Sequence, residues 1–300
     1  TYCLPKQFKG FTEPEYWLSF DEIERVIRIF SKLGVRRVRI TGGEPLLRKN
    51  LPVLVRRLKQ LGSLEDISLS TNAGRLSKSA GDLKSAGIDR INVSLDTLDQ
   101  KRFKNLNGGK LEKVIDGLMM AKEVGFHPVK INTLLMKDVN DDELFDIVNF
   151  CMRHGFTLRF IETMPIGTTG IEASQHYINL TTVKKKLSHR YNLIPTVTSH
   201  GGGPARYVRV EGTDCLIGFI TPISQHFCET CNRVRLSAEG NLLLCLGQND
   251  MVPLRPLLRD GITDKQLEEV ILNAIFHKPR RHEFHTRPHQ IVRFMSVTGG

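Results

Sequence analysis

Aromatic residues are scarce in this chain, which has one tryptophan and five tyrosines among 300 residues. Without a basic stripe interleaved with aromatic rings, a surface that stacks nucleobases along a strand has no support, and nucleic acid is not an expected partner. No apolar run approaches the roughly 18 residues of a membrane-spanning helix, and no charged leader followed by an apolar core opens the chain, so no membrane partner is expected. Cysteine is sparse too. Six cysteines, unevenly spaced, do not make a secreted disulfide scaffold and point to a reducing compartment, the cytoplasm or alternatively the mitochondrial matrix. Neither a fixed-period repeat nor a low-complexity tract is present.

What the chain does have is a hydrophobic content of 40% and a net charge of +11. The first permits a substantial core, and the second favours an anionic partner. Apolar residues Ile23, Val26, Ile27, Phe30 and Leu33 recur at helical spacing, and Gly34 stops the run. The alternating segment 35–40 then delivers the loop Thr41-Gly42-Gly43-Glu44-Pro45. Helical stretches near 49–61, 75–86, 109–125 and 140–154 alternate with β-rich segments at 65–70, 88–94, 128–135 and 156–161. That cadence predicts an α/β fold with a parallel sheet, doubly wound or closed as a barrel. It breaks near residue 195, after which strands near 205–210 and 215–221 read as antiparallel. The expected organisation is therefore 1–195, a smaller unit over 196–276 with a last helix near 264–276, and a basic tail over 277–300 ending in Gly-Gly.

The densest chemistry is Cys228-Glu229-Thr230-Cys231, followed by thirteen residues and Cys245. Thiolates at CxxC spacing favour zinc or an iron–sulfur centre. Structural zinc wants four closed ligands, and only His226 is near enough in sequence to be the fourth. Three cysteines suit a 4Fe–4S cluster with one open iron. Arg233 and Arg235, at alternate positions, point the same way beside it and could grip an anion. Strand ends carry further polar groups, namely Arg37, Arg39, Ser70, Ser94, Lys130, Asn132 and Arg159, which in a barrel converge on one cavity. Cys151 and Cys215 lie in apolar stretches and read as buried, inert thiols. The His282-Glu283-Phe284-His285 run lacks the spacing that puts two imidazoles on one helical face, and Lys184 to Lys186 read as a solvated helix face.

Tyr2-Cys3-Leu4-Pro5 looks like the end of the cysteine motif of radical S-adenosylmethionine enzymes. With ITGGEP at 40–45, INVSLD at 91–96, RFIETMPIG at 159–167, the CxxC and Cys245 set, and the terminal Gly-Gly, the chain resembles the GTP 3′,8-cyclase family along essentially its whole length. The resemblance implies an incomplete (β/α)6 barrel followed by a smaller α+β domain that holds a second 4Fe–4S cluster. It implies two 4Fe–4S clusters and S-adenosylmethionine as cofactors, GTP as substrate and 3′,8-cyclo-7,8-dihydro-GTP as product, formed by way of a 5′-deoxyadenosyl radical. An electron donor and a downstream cyclic pyranopterin monophosphate synthase are implied partners, and a homodimer is compatible with it.

Position by position, Cys3 is the expected ligand of the first cluster, with Tyr2, Gly43, Ser94 and Met164 at S-adenosylmethionine. Cys228, Cys231 and Cys245 are expected to hold the second cluster. Arg39, Ser70, Lys130 and Arg159 are expected to face GTP, with Arg233, Val234 and Arg235 against the nucleotide and the glycine tail reaching into the cavity. Two further cysteines and the first strand of the family are expected ahead of residue 1, so this chain alone is not expected to perform the radical step. Ser70 stands where the family usually has threonine. Two other readings remain open at this point: a radical enzyme that modifies peptides, and a zinc-stabilised nucleic-acid-binding protein.

Overall fold

Helix α1 (Phe20–Lys32) begins where Ser19 and Glu22 bond each other's backbone N–H groups, which satisfies two donors left open by the first turn. Its stripe of Val26, Ile29 and Phe30 is buried. The computed structural model describes the chain apart from residues 1–4, 6, 7, 9, 11, 198–201, 285 and 300.

From α1, strand and helix alternate: β1 (Arg37–Ile40), α2 (Leu51–Gln60), β2 (Asp66–Thr71), α3 (Leu76–Ala86), β3 (Arg90–Ser94), α4 (Gln100–Asn107), α5 (Leu111–Glu123), β4 (Val129–Leu134), α6 (Leu144–His154) and β5 (Thr157–Ile161). The five strands lie side by side in chain order, all parallel, as the cadence predicts. The expected segments match within a few residues. Helix α4 was not anticipated, because Phe103 is its one buried residue and no apolar stripe announces it; the Asp99 side chain caps it instead.

After α7 (Gly167–Ser174) and α8 (Leu180–Ser188) come β6 (Leu193–Thr196), β7 (Arg206–Val210) and β8 (Leu216–Ile220). Strands β7 and β8 pair antiparallel with each other, as expected of this stretch. Strand β8 returns to pair parallel with β5, then β7 and β6 follow antiparallel, giving one sheet of order β1-β2-β3-β4-β5-β8-β7-β6. The open edge of β5 needs hydrogen-bond partners, and a distant strand supplies them. Lys184 to Lys186 are exposed on α8, as expected.

A separate antiparallel sheet joins β9 (Arg235–Leu236), β10 (Asn241–Leu243) and β11 (Met251–Pro253). With α9 (Leu254–Arg259) and α10 (Asp264–Phe276) it forms a second apolar core, where Leu242, Leu254, Leu267 and Ile271 meet Leu18, Val26 and Ile29. The cysteine-bearing region is thus docked on α1. A short α11 (Met295–Thr298) ends the described chain.

The two faces of the main sheet differ in chemistry. One face presents Ile67, Leu69, Ile91, Val93, Ile131, Leu158, Phe160 and Ile217, all in the large core under the helices. Parallel sheets are usually apolar on both faces. Here the alternate positions are Arg39, Ser68, Ser70, Arg90, Asn92, Lys130, Asn132 and Arg159. A polar, basic inner face in such a fold marks a place built for a ligand.

Candidate active site

Strand register sets the inner face out in rows. Arg39 lies beside Ser68 and then Arg90; Ser70 beside Asn92 and Lys130; Ser94 beside Asn132, Arg159 and Gly218. Arg159 is 4% exposed and donates to Asn92 Oδ1, while Asn92 Nδ2 reaches Ser70 Oγ at 3.4 Å. Lys130 Nζ stands 5.8 Å from the centre of the Tyr207 ring. Gly218 makes this packing possible: a Cβ there would sit 2.7 Å from a Tyr207 ring carbon and 3.0 Å from Arg159 Cγ. Arg159 Nε and Asn132 Oδ1 are buried, adjacent in register and without a hydrogen-bond partner. Buried orphans of opposite polarity fit a ligand bearing both donors and acceptors.

Too much positive charge collects here for the protein alone. Arg90 is paired with Asp66, but Arg39, partly exposed on the same sheet face, still feels Arg159, Arg233, Arg90 and Arg235. Desolvation first, and then those four guanidiniums, hold its pKa down to about 10. Lys130 is pressed harder. Burial, followed by Arg159, Arg90 and Arg39, lowers it to about 7 against a weaker upward pull from Asp66. Like charges gathered at low dielectric cost stability, and a polyanion is the partner that relieves the cost.

Arg233 and Arg235 connect this cleft to the cysteines. Burial and Arg233 bring Arg235 down to about 10, while Cys231 and Cys245 pull the other way. Burial alone would raise the Cys231 thiol, but the Arg233 backbone N–H, its guanidinium and Lys278 outweigh it, and the thiol titrates below its ordinary value. Cys245 is raised, by burial first, with the thiols of Cys228 and Cys231 adding to it. The three thiols are half-buried. Among the described residues, their sulfurs do not all lie within 4.8 Å of one another, whereas a single tetrahedral ion with bonds of about 2.3 Å would hold them about 3.8 Å apart. Val234 points elsewhere: its side chain packs on the second core, away from the cleft, because it alternates with the two arginines.

At the carboxyl ends of β1 and β3 stand Gly43 and Ser94, both exposed. Glu44 fixes the first of these loops to the next. Its carboxylate accepts from Thr71 Oγ1 at 2.7 Å, Asn72 N at 2.7 Å and Leu46 N at 3.0 Å. Met164 packs with Ile166, Phe284 and Ile291. Tyr2 and Cys3 lie outside the described residues. The basic tail, which sequence periodicity left without form, is folded onto these loops. Arg293 donates to the carbonyls of Cys245 (3.0 Å), Leu246 (2.8 Å) and Gln248 (2.5 Å) and to Asn249 Oδ1 (2.9 Å). Gly167 N–H bonds Ile291 O at 3.0 Å, and Gly299, at φ +71°, lies so close to Thr41 and Gly42 that a Cβ there would collide with them.

Sequence reasoning missed Arg90, Asn92 and Tyr207. Period-two alternation backward from Ser94 would have found the first two, whereas Tyr207 comes to the cleft only through the nonlocal return of β8 and β7. It also set His282 aside because its own run lacks helical metal spacing, whereas the structure brings it to His226 and Cys228 from another segment, all three ligand atoms mutually within 4.8 Å. Cys151 and Cys215 are buried with raised thiol pKa values, from desolvation, as expected of inert thiols.

The Radical SAM superfamily pattern matches residues 1–151, and the one described as Molybdenum Cofactor Synthesis C matches residues 156–284. The chain is 44% identical over 307 residues to the GTP 3′,8-cyclase of Hydrogenovibrio crunogenus, covering 100% of this chain and 92% of that one. It is 43% identical over 308 residues to the GTP 3′,8-cyclase of Paracoccus denitrificans, covering 100% and 89%. A basic sheet face, three thiols beyond it and full-length likeness on both sides of the join agree, and the chain belongs to the GTP 3′,8-cyclase family within the radical S-adenosylmethionine superfamily.

Proposed function

We propose that this chain is a GTP 3′,8-cyclase, with the inner face of the sheet as the nucleotide site. The observation that carries the reading is the surplus of cations in one cleft, Arg39, Lys130, Arg159, Arg233 and Arg235, with Asp66 as the acid that pulls against it. A triphosphate supplies the missing negative charge and restores Lys130 to its charged form. Arg159 Nε and Asn132 Oδ1 offer one donor and one acceptor to the sugar or base, and Ser70 a hydroxyl. Cys228, Cys231 and Cys245 are assigned to a second 4Fe–4S centre beside Arg233 and Arg235, and Cys3 to the first; Gly43, Ser94 and Met164 are assigned to S-adenosylmethionine. When bound, these groups supply one-electron and radical chemistry; the protein's part is to hold the ribose and guanine in line and keep water away. The tail, resting on Thr41 and Gly42, covers the loop end of the cleft.

A reductant must deliver electrons and a second enzyme must consume the cyclised nucleotide, here assigned to a cyclic pyranopterin monophosphate synthase; a cytoplasmic setting suits these roles. No helix among the described residues is long and apolar enough to cross a membrane. Full-length protein, reconstituted anaerobically with iron and sulfide and given S-adenosylmethionine and reductant, is expected to convert GTP to its 3′,8-cyclised form with 5′-deoxyadenosine as co-product. GTP recovered unchanged, with no 5′-deoxyadenosine formed, would overturn the assignment.

A further inference from the structure

The geometry points to a mononuclear metal site on His226, Cys228 and His282, which takes one divalent ion of the zinc class and competes with the iron–sulfur centre for Cys228. The three donors come from two segments more than fifty residues apart in sequence, yet their ligand atoms lie mutually within 4.8 Å. They form the only such trio of His, Cys, Asp and Glu among the described residues. Two imidazoles and a thiolate are a donor set that zinc-class ions favour, with a fourth place left for water. Bonds of about 2.0–2.3 Å require the donors to draw in by roughly an ångström, within reach of side-chain rotation.

The surroundings of His282 fit a ligand role. One ring nitrogen, Nε2, lies 3.0 Å from Pro222 O, and the Phe284 N–H points at the other, Nδ1, at 3.5 Å. A proton on Nε2 donated to the Pro222 carbonyl makes Nδ1 the acceptor, and a metal would take the place of the long Phe284 N–H contact on it. The two imidazole rings stand 5.0 Å apart. Gly247 packs directly against His282, leaving no room for a Cβ, so the loop that carries Cys245 holds His282 in place.

Sharing Cys228 makes the two occupants exclusive. Cys228 bound to the ion with His226 and His282 is withdrawn from the set it would form with Cys231 and Cys245. This part of the inference rests on the assignment of that set to the second cluster, whereas the ion site itself does not. Cluster-free protein therefore takes up the ion, and cluster-loaded protein does not.

The test uses Co2+ as the probe on the full chain freed of iron. Compared are the wild type, His226→Ala, His282→Ala, Cys228→Ser and the double variant Cys231→Ser/Cys245→Ser, each checked for a native circular dichroism spectrum. His282→Gln is run beside His282→Ala so that a loss of packing is told apart from the loss of a ligand. One tetrahedral Co2+ with a thiolate charge-transfer band is expected. The band should vanish in Cys228→Ser, the affinity should fall about ten-fold or more in the histidine variants, and binding should persist in the double cysteine variant. Unchanged affinity in the histidine variants, or loss of the band in the double variant, overturns the site. Stoichiometric Co2+ uptake by protein already loaded with iron and sulfide overturns the exclusivity. Failure to bind iron and sulfide at all counts against the cluster assignment, while the ion site is still read in the iron-free protein.

Discussion

Binding of GTP to the cleft should draw a proton from solution, and Lys130 sets how much. In the empty cleft Lys130 titrates at about 7 because burial and the guanidiniums of Arg159, Arg90 and Arg39 disfavour its charge. At pH 8, one unit higher, about one site in eleven carries the proton. A triphosphate laid against Lys130 reverses the local field and holds the ammonium form, so about 0.9 proton should enter per nucleotide bound at that pH. The nucleotide releases none to mask the uptake, since a terminal phosphate loses its last proton near pH 6. Calorimetric titration of GTP in two buffers of different ionisation enthalpy gives the number directly. Lys130→Met should bind more weakly and show no uptake, and Arg39 and Arg235, both held at about 10, remain charged throughout. Wild-type uptake below about 0.3 proton at pH 8, or uptake that survives in Lys130→Met, refutes the electrostatic account of the cleft. The same group fixes a stability trend. Between its folded value near 7 and its unfolded value of 10.5 the unfolded chain binds the extra proton, so its contribution to stability rises with pH across that window, and it is below pH 7 that the buried charge costs most.

Three further outcomes follow from the geometry. Glu162 is fully buried and accepts from Ile223 N, Ser224 N, Ser224 Oγ and Tyr177 OH, with Leu180 N at the edge of range. In Glu162→Gln the amide NH2 faces donors, so about two of them lose their acceptor at a cost of about 2–4 kcal/mol, to be read from the urea midpoint; unchanged stability would remove the residue from the frame. Gly218→Ala drives a methyl into Tyr207 and Arg159, and should cost about 1–3 kcal/mol in folding and also weaken GTP binding measured by equilibrium dialysis. Arg293→Gln frees the carbonyls of Cys245, Leu246 and Gln248, and should lower the iron and sulfide retained per chain and speed tryptic cleavage in the 277–293 segment. Iron content and cleavage rate like those of the wild type would show that the tail does not brace the Cys245 loop.

The parallel half of the fold was legible because it is local. Strand β1 is announced by alternation, β2 to β5 by β-rich runs, and each of α1, α2, α3, α5 and α6 by an apolar stripe, and all these signals live within a dozen residues. Most of the basic inner face was readable for the same reason, since Arg39, Ser70, Lys130 and Arg159 sit at alternate strand positions. What was hidden depends on contacts between distant residues. Strand β8 looks like part of a hairpin until β5 is seen to lack a neighbour, and α7 carries glycines because Gly170 must pass close to the Met164 carbonyl, a fact of packing rather than pattern. Arg293 and His282 lie in a tail with no periodicity, and only the chain's return to Cys245 and Cys228 shows what they touch.

The late return of β8 to β5 also bears on how the molecule is made. Every strand from β2 to β5 can pair with the one just before it, but the far edge of β5 must wait for residues 216–220, more than fifty positions further along. Until those emerge from the ribosome, β5 stands as a bare margin of five residues with unmet amide and carbonyl groups, open to any other nascent chain. Truncations ending between 162 and 215 should therefore clump during synthesis, whereas one ending beyond β8 should stay dispersed, with its margin already covered.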